Sequence, residues 1–429
     1  MTETTPVAEQ LATALALVLG IDPLPVRLRA WDGSEAGPDD APLVVVRSPR
    51  AVRRLVWAPD EVGLARAYVA GELDVEGDLY APFAALSSTG RLAPGGHVRL
   101  SLADRLSLVR SGLALGVVGR EPAPPPEEVR LGRYGRLHSR RRDAAAVSHH
   151  YDIGNDFYRL VLGPSMVYSC AVWADEDVGL EAAQDAKLDL ACRKLGLRPG
   201  LRLLDVGCGW GSLAMHAARA YGTRVVGITL SQEQAMLARK RVDEAGLTGS
   251  VEIRVQDYRA VDDGPFDAIS SVGMAEHVGR SELPAYAATL GALLRPGGRL
   301  LNHAIAWAAP ATTWRNDTFI ARYVFPDGEL VSLGDMVGAL ASGDLEVIDV
   351  EALRRHYALT LRAWVRNLEQ GWDDAVALAG EGRARVWRLY MSASALAFES
   401  GKLGVNQVLL QKPGGAPPPL RPDWVPAGK

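Results

Sequence analysis

A glycine-rich turn constrains the fold of this chain more than any other feature of its sequence. Residues 201–206 form an apolar run that leads into Asp205-x-Gly207-x-Gly209-x-Gly211, and a helical pattern begins at Ser212. Glycine permits positive φ angles and lets a ligand approach the backbone closely, and the start of a helix offers unpaired N–H groups. The pattern predicts a ligand-binding turn between a strand and a helix, with a purely structural turn as the alternative.

The pattern after this turn predicts an α/β fold. Helical stretches at 212–220 and 232–245 alternate with apolar strand patterns, which is typical of a mainly parallel sheet. The predicted later strands are 224–228, 251–255, 266–272, 299–305, 345–350 and 405–411.

A proline-rich segment, residues 121–127, predicts a boundary between two domains. We expect a small N-terminal domain at 1–120, with a strand at 43–47 and a helix at 64–71, and then a Pro/Arg-rich linker at 121–145. A catalytic domain at 146–412 and a disordered tail at 413–429 complete the predicted organisation. Five arginines fall within ten residues of the linker, which suits either anionic lipid headgroups or a solvated, ion-paired segment: Arg133, Arg136, Arg140, Arg141 and Arg142.

Composition narrows the function classes. The net charge of −4 and pI of about 6.1 argue against nucleic acid as a general partner. Three cysteines without C-x-x-C spacing favour a reducing cytoplasm, and no residues are assigned to a metal. No segment approaches the roughly 18–20 apolar residues that span a bilayer, so any lipid contact is expected to be peripheral.

The glycine spacing and three strand ends indicate which nucleotide binds. Nicotinamide and flavin folds favour G-x-G-x-x-G, whereas the third glycine here comes one residue earlier. Asp205, two positions before Gly207, suits the methionyl ammonium of S-adenosylmethionine better than a pyrophosphate. Ligands of open α/β sheets lie at the carboxyl ends of strands. Thr229 and Gln234 are therefore candidates for the ribose hydroxyls, and Asp257 for the adenine amino group.

Several stretches, in order, resemble the cyclopropane-fatty-acyl-phospholipid synthase family, which includes the mycolic acid cyclopropane synthases. Among them are Tyr168-Ser-Cys-Ala171, Ala275-Glu-His-Val-Gly279 and His303-Ala-Ile305. The full set is residues 148–157, 168–171, 205–211, 227–231, 275–279, 303–305, 323–326 and 356–357. The resemblance implies a class I S-adenosylmethionine-dependent methyltransferase with a Rossmann-like seven-stranded sheet and a small N-terminal lipid-engaging domain. One departure from many class I enzymes is the absence of an acid at the end of the second strand, where Thr229-Leu-Ser231 stands instead.

The resemblance also implies the site residues. Cofactor contacts are expected from Tyr168, Ser169, Asp205, Gly207, Gly209, Gly211, Thr229, Leu230, Gln234, Asp257 and Tyr258. A bound bicarbonate ion acts as the base in this family, and its cradle carries over to Cys170, Glu276, His303, Tyr357 and the backbone of Ile305. Alone, each has a simpler explanation: a buried cysteine is more often core than catalyst, and a Glu-His pair after a strand is more often a helix-terminal charge. Trp307, Tyr323, Phe325 and Trp364 are candidates for the acyl pocket, with core packing as the alternative.

Phospholipid acyl chains at the membrane surface are the expected substrate. The closest likeness is to an actinobacterial branch associated with 10-methylene and 10-methyl fatty acids, carried by residues 30–37 and Gly163-Pro-Ser-Met166. It implies a 10-methylene product from an oleoyl chain, with a cyclopropane as the alternative, and leaves room for a homodimer and a separate reductase acting on the product. The remaining rival functions are a small-molecule C-methyltransferase and a cofactor-binding protein without catalysis.

Overall fold

Two units divide the chain. The structure is a computed structural model that describes residues 5–58, 60–88, 102–129, 142, 153–309, 318–422 and 424. The first unit comprises residues 1–129, 317–319 and 381–393, and the second comprises 130–316, 320–380 and 394–429. Residues 121–129 of the predicted linker thus cluster with the first unit. The same holds for residues 381–393, which the sequence placed inside the catalytic domain.

The secondary structure alternates as the sequence predicts. The helices of the described residues are α1 Val7–Leu19, α2 Pro49–Trp57, α3 Glu61–Val69, α4 Tyr80–Ser88, α5 Leu102–Ala114, α6 Asn155–Leu162, α7 Leu180–Lys194, α8 Ser212–Tyr221, α9 Gln232–Glu244, α10 Ala275–Val278, α11 Leu283–Leu293, α12 Phe319–Tyr323, α13 Leu333–Ala341, α14 Arg354–Gln370, α15 Trp372–Ala379 and α16 Glu381–Glu399. The strands are β1 Arg27–Arg29, β2 Glu35–Ala36, β3 Leu43–Val46, β4 Leu73–Glu76, β5 Arg202–Val206, β6 Arg224–Thr229, β7 Val251–Val255, β8 Phe266–Val272, β9 Leu294–Trp307, β10 Glu346–Ala352 and β11 Leu403–Gln411.

The second unit is built on a seven-stranded sheet with the order β10-β11-β9-β8-β5-β6-β7. Strands β7, β6, β5, β8 and β9 run parallel, and β11 pairs antiparallel with both β9 and β10. The predicted α/β class and seven-stranded sheet are therefore confirmed. Because the parallel strands share one orientation, their carboxyl ends meet at one edge of the sheet, and the candidate residues follow there.

Two apolar clusters cover the two faces of this sheet. On one face Leu203 of β5 packs with residues of α7, α8 and α9, and on the other face Leu204 packs with residues of α11 and α13. Successive side chains of a strand point to opposite faces, so burial on both faces requires a continuous apolar run rather than an alternating one. This explains why the strand at 202–206 can be recognised from sequence.

The first unit contains a four-stranded sheet with the order β2-β1-β3-β4. Buried ion pairs tie its surroundings together: Arg54 contacts Glu72 at 2.8 Å, and Arg66 contacts Glu128 at 2.8 Å. The second pair attaches the end of the proline-rich segment to α3, which accounts for its clustering with this unit.

The C-terminal segment differs from the expected disordered tail. Trp424 is only 6% exposed and lies under the Arg299 guanidinium, 5.6 Å from the ring centroid. Gln411 also donates to the carbonyl of Ala416 at 2.7 Å. The prediction of a disordered tail does not hold for these residues, because a buried aromatic residue fixes the segment.

Some predicted features lie outside the described residues, namely 148–152 of the first family-like stretch and every arginine of the linker cluster except Arg142. Arg142 forms a bidentate pair with Asp327, with N–O distances of 2.7 and 2.9 Å, so this member matches the ion-paired alternative. No helix among the described residues is both long and apolar enough to cross a membrane.

Candidate active site

The glycine-rich turn has the positive φ angles that the sequence predicts. Gly207 and Gly209 have φ angles of 74° and 55°, and the N–H groups of Gly207 and Cys208 both donate to the Ile228 carbonyl at 2.9 Å. A Cβ atom at position 207 would lie 2.5 Å from the Met274 side chain, whereas one at position 209 would meet no atom within 4 Å. The backbone therefore borders open space at Gly209, where a ligand can approach it.

Asp205 is a buried carboxylate with one free oxygen. It lies one residue before the end of β5, its Oδ1 accepts a hydrogen bond from the Ser270 hydroxyl at 2.7 Å, and its Oδ2 has no hydrogen-bond partner among the residues that the structure describes. Burial raises the pKa of Asp205 to about 6, against the opposing effects of the Ser270 hydrogen bond and the charge of Lys187. A cation that reached Oδ2 would stabilise the ionised form, and an amino-acid ammonium has the required chemistry.

Thr229 and Gln234 lie where the sequence predicts but bond to each other. The Thr229 hydroxyl donates to Gln234 Oε1 at 2.8 Å and accepts from the Ser231 N–H at 3.1 Å. Ser231 caps helix α9 by accepting from the Gln234 N–H at 3.2 Å. These contacts, with Leu230 between them, shape the end of β6 and leave fewer polar groups for a ribose than the sequence suggested.

Asp257 and Tyr258 follow β7, and Asp257 is also engaged within the protein. Its Oδ1 caps a short 3₁₀ turn by accepting from the Arg259 N–H at 2.9 Å, and its Oδ2 pairs with the Arg259 guanidinium at 2.6 Å. Tyr258 packs edge-on against Tyr286, with ring centroids 5.4 Å apart. The expected contact of Asp257 with an adenine amino group would have to share this carboxylate with Arg259.

The loop that carries Tyr168 and Ser169 is held in place by residues that the sequence reading missed. Gln184 of α7 donates to the carbonyls of Leu162 and Val167 at 3.1 and 3.3 Å. Arg241 of α9 donates to the carbonyls of Trp210 and Ser165 at 2.7 and 3.1 Å, which joins this loop to the glycine-rich turn. The signal for Gln184 was a polar residue on the apolar stripe of a helix.

Aromatic rings link the glycine-rich turn to the predicted cradle. Neighbouring ring centroids are 4.8, 5.6, 5.4 and 6.0 Å apart along the row Trp210, Tyr158, Tyr168, Trp364, Tyr357. Ring faces attract cations by about 0.5–2 kcal/mol. The row is therefore suited to a region that binds positive charge. Of the four aromatic candidates, the row includes only Trp364.

Glu276 and Ile305 are in direct contact. Glu276 lies at the start of α10, after β8, and its Oε1 accepts from the Ile305 N–H at 2.8 Å. Its Oε2 is buried and has no hydrogen-bond partner within the described part of the chain, and burial raises the pKa of Glu276 to about 7. The Ile305 N–H is thus already used by the protein, and the free polar atom at this point is the second glutamate oxygen.

His303 lies on β9, two residues before Ile305, and is opposite Gln407 of β11. Its Nδ1 is 3.3 Å from Gln407 Nε2, and its Nε2 is buried without a hydrogen-bond partner in the ranges that the structure describes. Burial lowers the pKa of His303 to about 3, and the charges of Lys187 and Lys194 act in the same direction. The imidazole is therefore neutral at physiological pH.

The backbone of Leu353 brings Cys170 and Tyr357 to the same region. The Leu353 N–H donates to Val405, the residue opposite Ile305 in the sheet. The Leu353 carbonyl accepts from the Tyr357 N–H at 3.1 Å and from Cys170 Sγ at 3.7 Å. Burial raises the pKa of the Cys170 thiol well above its usual range, so it is a weak donor rather than a nucleophile.

Lys187 is a further buried charge that the sequence reading missed. It lies on α7, and burial lowers its pKa to about 8, while the charges of Asp205 and Cys170 oppose that shift. It therefore links electrostatically the glycine-rich turn and the loop at 168–171. Like Gln184, it is a polar residue on the buried side of α7.

Comparisons with known proteins identify the family of this chain. Residues 138–408 match the family model for mycolic acid cyclopropane synthetase. A probable fatty acid methyltransferase of Mycobacterium tuberculosis is 45% identical over 94% of this chain and 95% of its own length. The cyclopropane-fatty-acyl-phospholipid synthase of Escherichia coli K12 is 36% identical over 72% of this chain and 79% of its own. The structure of mycolic acid cyclopropane synthase CmaA1 complexed with SAH and CTAB has a TM-score of 0.59 and 35% identity, covering 63% of this chain and 98% of that one.

Fold and site together define an S-adenosylmethionine-dependent methyltransferase. Within that class, the chain belongs to the mycolic acid cyclopropane synthetase family. The buried free oxygen of Asp205 and the open space beside Gly209 fit the charge and the close backbone approach of this cofactor.

Proposed function

We propose that this enzyme methylates the cis double bond of an oleoyl chain in membrane phospholipid and gives a 10-methylene acyl product. The observation that carries the proposal is the pair of buried atoms Oε2 of Glu276 and Nε2 of His303, in the same catalytic unit as Oδ2 of Asp205. None of these three atoms has a hydrogen-bond partner among the described residues. The similarity to fatty acid methyltransferases and acyl-phospholipid synthases supports an acyl substrate.

An isolated alkene is a weak nucleophile, so the protein must hold it in line with the methyl donor and exclude water. S-adenosylmethionine, when bound, supplies an electrophilic methyl group. Asp205 would hold its ammonium, and the glycine-rich turn would let it lie against the backbone. The row of aromatic rings would stabilise positive charge on the acyl chain after methyl transfer.

The resulting carbocation must lose a proton, and we propose that the polar atoms near Ile305 hold a bicarbonate ion for this step. His303 would donate to the ion through Nε2, and Glu276 would accept a hydrogen bond from its hydroxyl group. Tyr357 and Cys170 complete the predicted cradle, and Leu353 contacts both. The proposal is supported by the donor and acceptor chemistry of these groups, since one neutral donor and one carboxylate suit an anion that carries a proton.

Two products can arise from the same cation. Direct loss of a methyl proton with ring closure gives a cyclopropane. A hydride shift first gives a tertiary cation, and loss of a methyl proton then gives the exocyclic methylene, which a separate reductase can convert to a methyl branch. We propose the second route because residues 30–37 and 163–166 resemble a branch associated with 10-methylene fatty acids. The fatty acid methyltransferase relative supports an acyl substrate for either route.

Mass spectrometry and proton NMR of lipids from a host expressing the protein test the proposal. We expect one added carbon on monounsaturated phospholipid chains and olefinic methylene protons in the product. A cyclopropane signature without these protons would replace the proposed product and keep the enzyme class. Unchanged lipids, with methylation of a soluble small molecule instead, would refute the acyl substrate.

We propose further that the first unit contacts an anionic membrane surface through an apolar patch, defined as Val56, Trp57, Val109, Leu113 and Val118. These five side chains are between 54% and 63% exposed. They are neighbours, because Trp57 Nε1 donates to the Gly119 carbonyl at 3.0 Å and a Cβ at Gly112 of α5 would lie 3.7 Å from Val118. Val109 and Leu113, four residues apart on α5, share one helix face.

Positive charges adjoin the patch. Arg53 donates to the carbonyls of Val117 and Gly116 at 3.1 and 2.9 Å, while Arg110 and Arg120 are exposed. A basic residue near an anionic membrane contributes about 1 kcal/mol, and the apolar side chains add their burial. This combination suits peripheral contact with a phospholipid surface.

Flotation of the full-length protein with vesicles of mixed phosphatidylglycerol and phosphatidylcholine tests the patch. We expect Trp57→Ser combined with Leu113→Ser to lower the bound fraction at least fivefold. Met236→Ser, which changes a side chain 53% exposed on the second unit, is the matched control and should bind as the wild type does. Equal binding by all three proteins would assign the membrane contact elsewhere.

A further inference from the structure

The neighbours of His303 determine which of its nitrogens can donate. A neutral imidazole carries one N–H donor and one acceptor nitrogen, and the hydrogen bond at one nitrogen sets the role of the other. In this structure Nδ1 lies 3.3 Å from the side-chain amide nitrogen of Gln407, and Nε2 has no hydrogen-bond partner among the described residues. Whether Nε2 donates or accepts a hydrogen bond therefore depends on whether Gln407 offers a donor or an acceptor to Nδ1.

Gln407 is placed for this contact by the sheet itself. It lies on β11 directly opposite His303 on β9, and both residues are almost completely buried. Cross-strand partners lie about 4.5–5.5 Å apart at Cβ, so their side chains remain neighbours. Water cannot easily replace the amide at this depth.

The orientation of the amide follows from the cost of burying polar groups. With Nε2 of Gln407 toward His303, the group left without a partner is the carbonyl oxygen. With the amide reversed, an NH₂ group with two donors would be buried without an acceptor. Unpaired buried N–H groups are rarer than under-satisfied carbonyl oxygens, and each costs about 1–3 kcal/mol. The first orientation is therefore favoured.

We propose that Gln407 is a positioning residue for the reaction: its amide donates to Nδ1 of His303 and so holds the hydrogen of the imidazole on Nε2. In that tautomer His303 presents a fixed N–H donor to an anion in the site. The opposite tautomer would present a lone pair, which repels an anion. The inference rests on the proposed role of His303 in the cradle, and it explains why a neutral amide rather than a carboxylate stands at position 407.

The tautomer can be read directly by ¹⁵N NMR of full-length protein labelled at histidine. The His303 signals are assigned by their loss in His303→Asn. We expect the wild type to show a protonated Nε2 and an unprotonated Nδ1. Gln407→Glu replaces the donor with an acceptor, so we expect the proton to move to Nδ1 and the pKa of His303 to rise toward the neutral range.

Turnover supplies the second readout. We expect Gln407→Glu to lower kcat at least tenfold, with the Kd for S-adenosylmethionine changed less than twofold, and Gln407→Leu to leave a mixture of tautomers with an intermediate kcat. The matched control is Gln411→Leu, because Gln411 is buried on the same face of β11 and bonds to Ala416 instead of a histidine. A loss of packing alone would affect the control equally.

Either of two results would overturn the proposal: a wild-type His303 protonated on Nδ1, or an unchanged tautomer in both Gln407 variants. If Gln407→Glu does not fold, the leucine variant and the wild-type spectrum still decide the matter. The tautomer is measured without turnover, so a failure of the acyl-methylation proposal would appear separately, as a wild-type protein that leaves acyl chains unmodified.

Discussion

Two regions of the catalytic unit treat their buried polar groups differently. At the ends of β6 and β7, Thr229 bonds to Gln234, and Asp257 pairs with Arg259. Around β5, β8 and β9, three side chains each keep one buried atom that bonds to none of the described residues: Asp205, Glu276 and His303. The polar groups of the first region bond to one another without a ligand, whereas those of the second region leave atoms that a ligand could bind.

This difference indicates where ligand charge is recognised. More than about 90% of buried polar groups in proteins have partners, and each exception requires an explanation. The free atoms of the second region include two carboxylate oxygens, and burial raises the pKa of both Asp205 and Glu276. We infer that the first region gives the pocket its shape and that the second binds the charged groups.

The largest change in cofactor affinity is expected for a substitution of Asp205. Asp205→Asn keeps an oxygen for the Ser270 hydrogen bond but removes the negative charge that would face the ammonium of the cofactor. We expect the Kd for S-adenosylmethionine, measured by calorimetric titration, to rise about 100-fold, which corresponds to about 2.7 kcal/mol. A rise of less than threefold would remove Asp205 from the ligand-binding region.

The next effect is expected at Glu276, in kcat rather than in cofactor affinity. Glu276→Gln preserves the hydrogen bond from the Ile305 N–H but replaces the free carboxylate oxygen with an amide group. Acid–base groups contribute about 10²–10⁴-fold, so we expect kcat to fall about 100-fold while the Kd for S-adenosylmethionine changes less than threefold. Full turnover by the glutamine variant would show that another group organises proton removal.

Glu276 also predicts the acid limb of the wild-type pH profile. Its pKa is raised to about 7 by burial, and the proposed role requires the ionised form. The rate should therefore fall as pH decreases below about 7, approaching tenfold per pH unit. Bicarbonate is itself protonated in acid, so the residual rate of Glu276→Gln should keep a limb that lies at lower pH than that of the wild type. An identical limb in both proteins would assign it to another group.

A smaller change in cofactor affinity is expected for Asp257→Asn, and this variant tests most directly whether the two regions differ. Because the Arg259 guanidinium already pairs with this carboxylate, Asp257→Asn should raise the Kd for S-adenosylmethionine by no more than about tenfold. Arg259→Gln is the companion variant, since it frees the carboxylate without removing it. A loss in Asp257→Asn as large as that in Asp205→Asn would mean that internal pairing does not distinguish the two regions.

The sequence predicts the strands better than it predicts which polar side chains bond to each other. Strands β7 and β8 have the predicted bounds, and β7 at the edge of the sheet shows the alternation of apolar and polar residues that is typical of a half-buried strand. The role of Gln407 was not predictable, because its partner His303 lies 104 residues away and is brought close only by the sheet. Likewise, the residue type identified Asp257 as a candidate cofactor-binding residue but could not show that its carboxylate already pairs with Arg259.

The smallest effect concerns stability and uses the same aspartate without ligand. The pKa of Asp205 is raised from 3.8 to about 6 by burial, so the native state holds this proton more tightly than the unfolded state does. The wild type therefore loses stability, relative to Asp205→Asn, as pH rises from about 4 through about 6. Each pKa unit corresponds to about 1.4 kcal/mol, so the ligand-free variant should be more stable above pH 6 by about 1–3 kcal/mol.

Denaturant unfolding of both proteins at pH 4, 5.5 and 7.5 measures this difference in stability, and the contributions of other titrating groups cancel in it. Saturating S-adenosylmethionine should reverse the order at pH 7.5, because only the wild type binds it tightly. A stability difference that does not change with pH would show that Asp205 is not the strained, unpaired group on which the comparison depends.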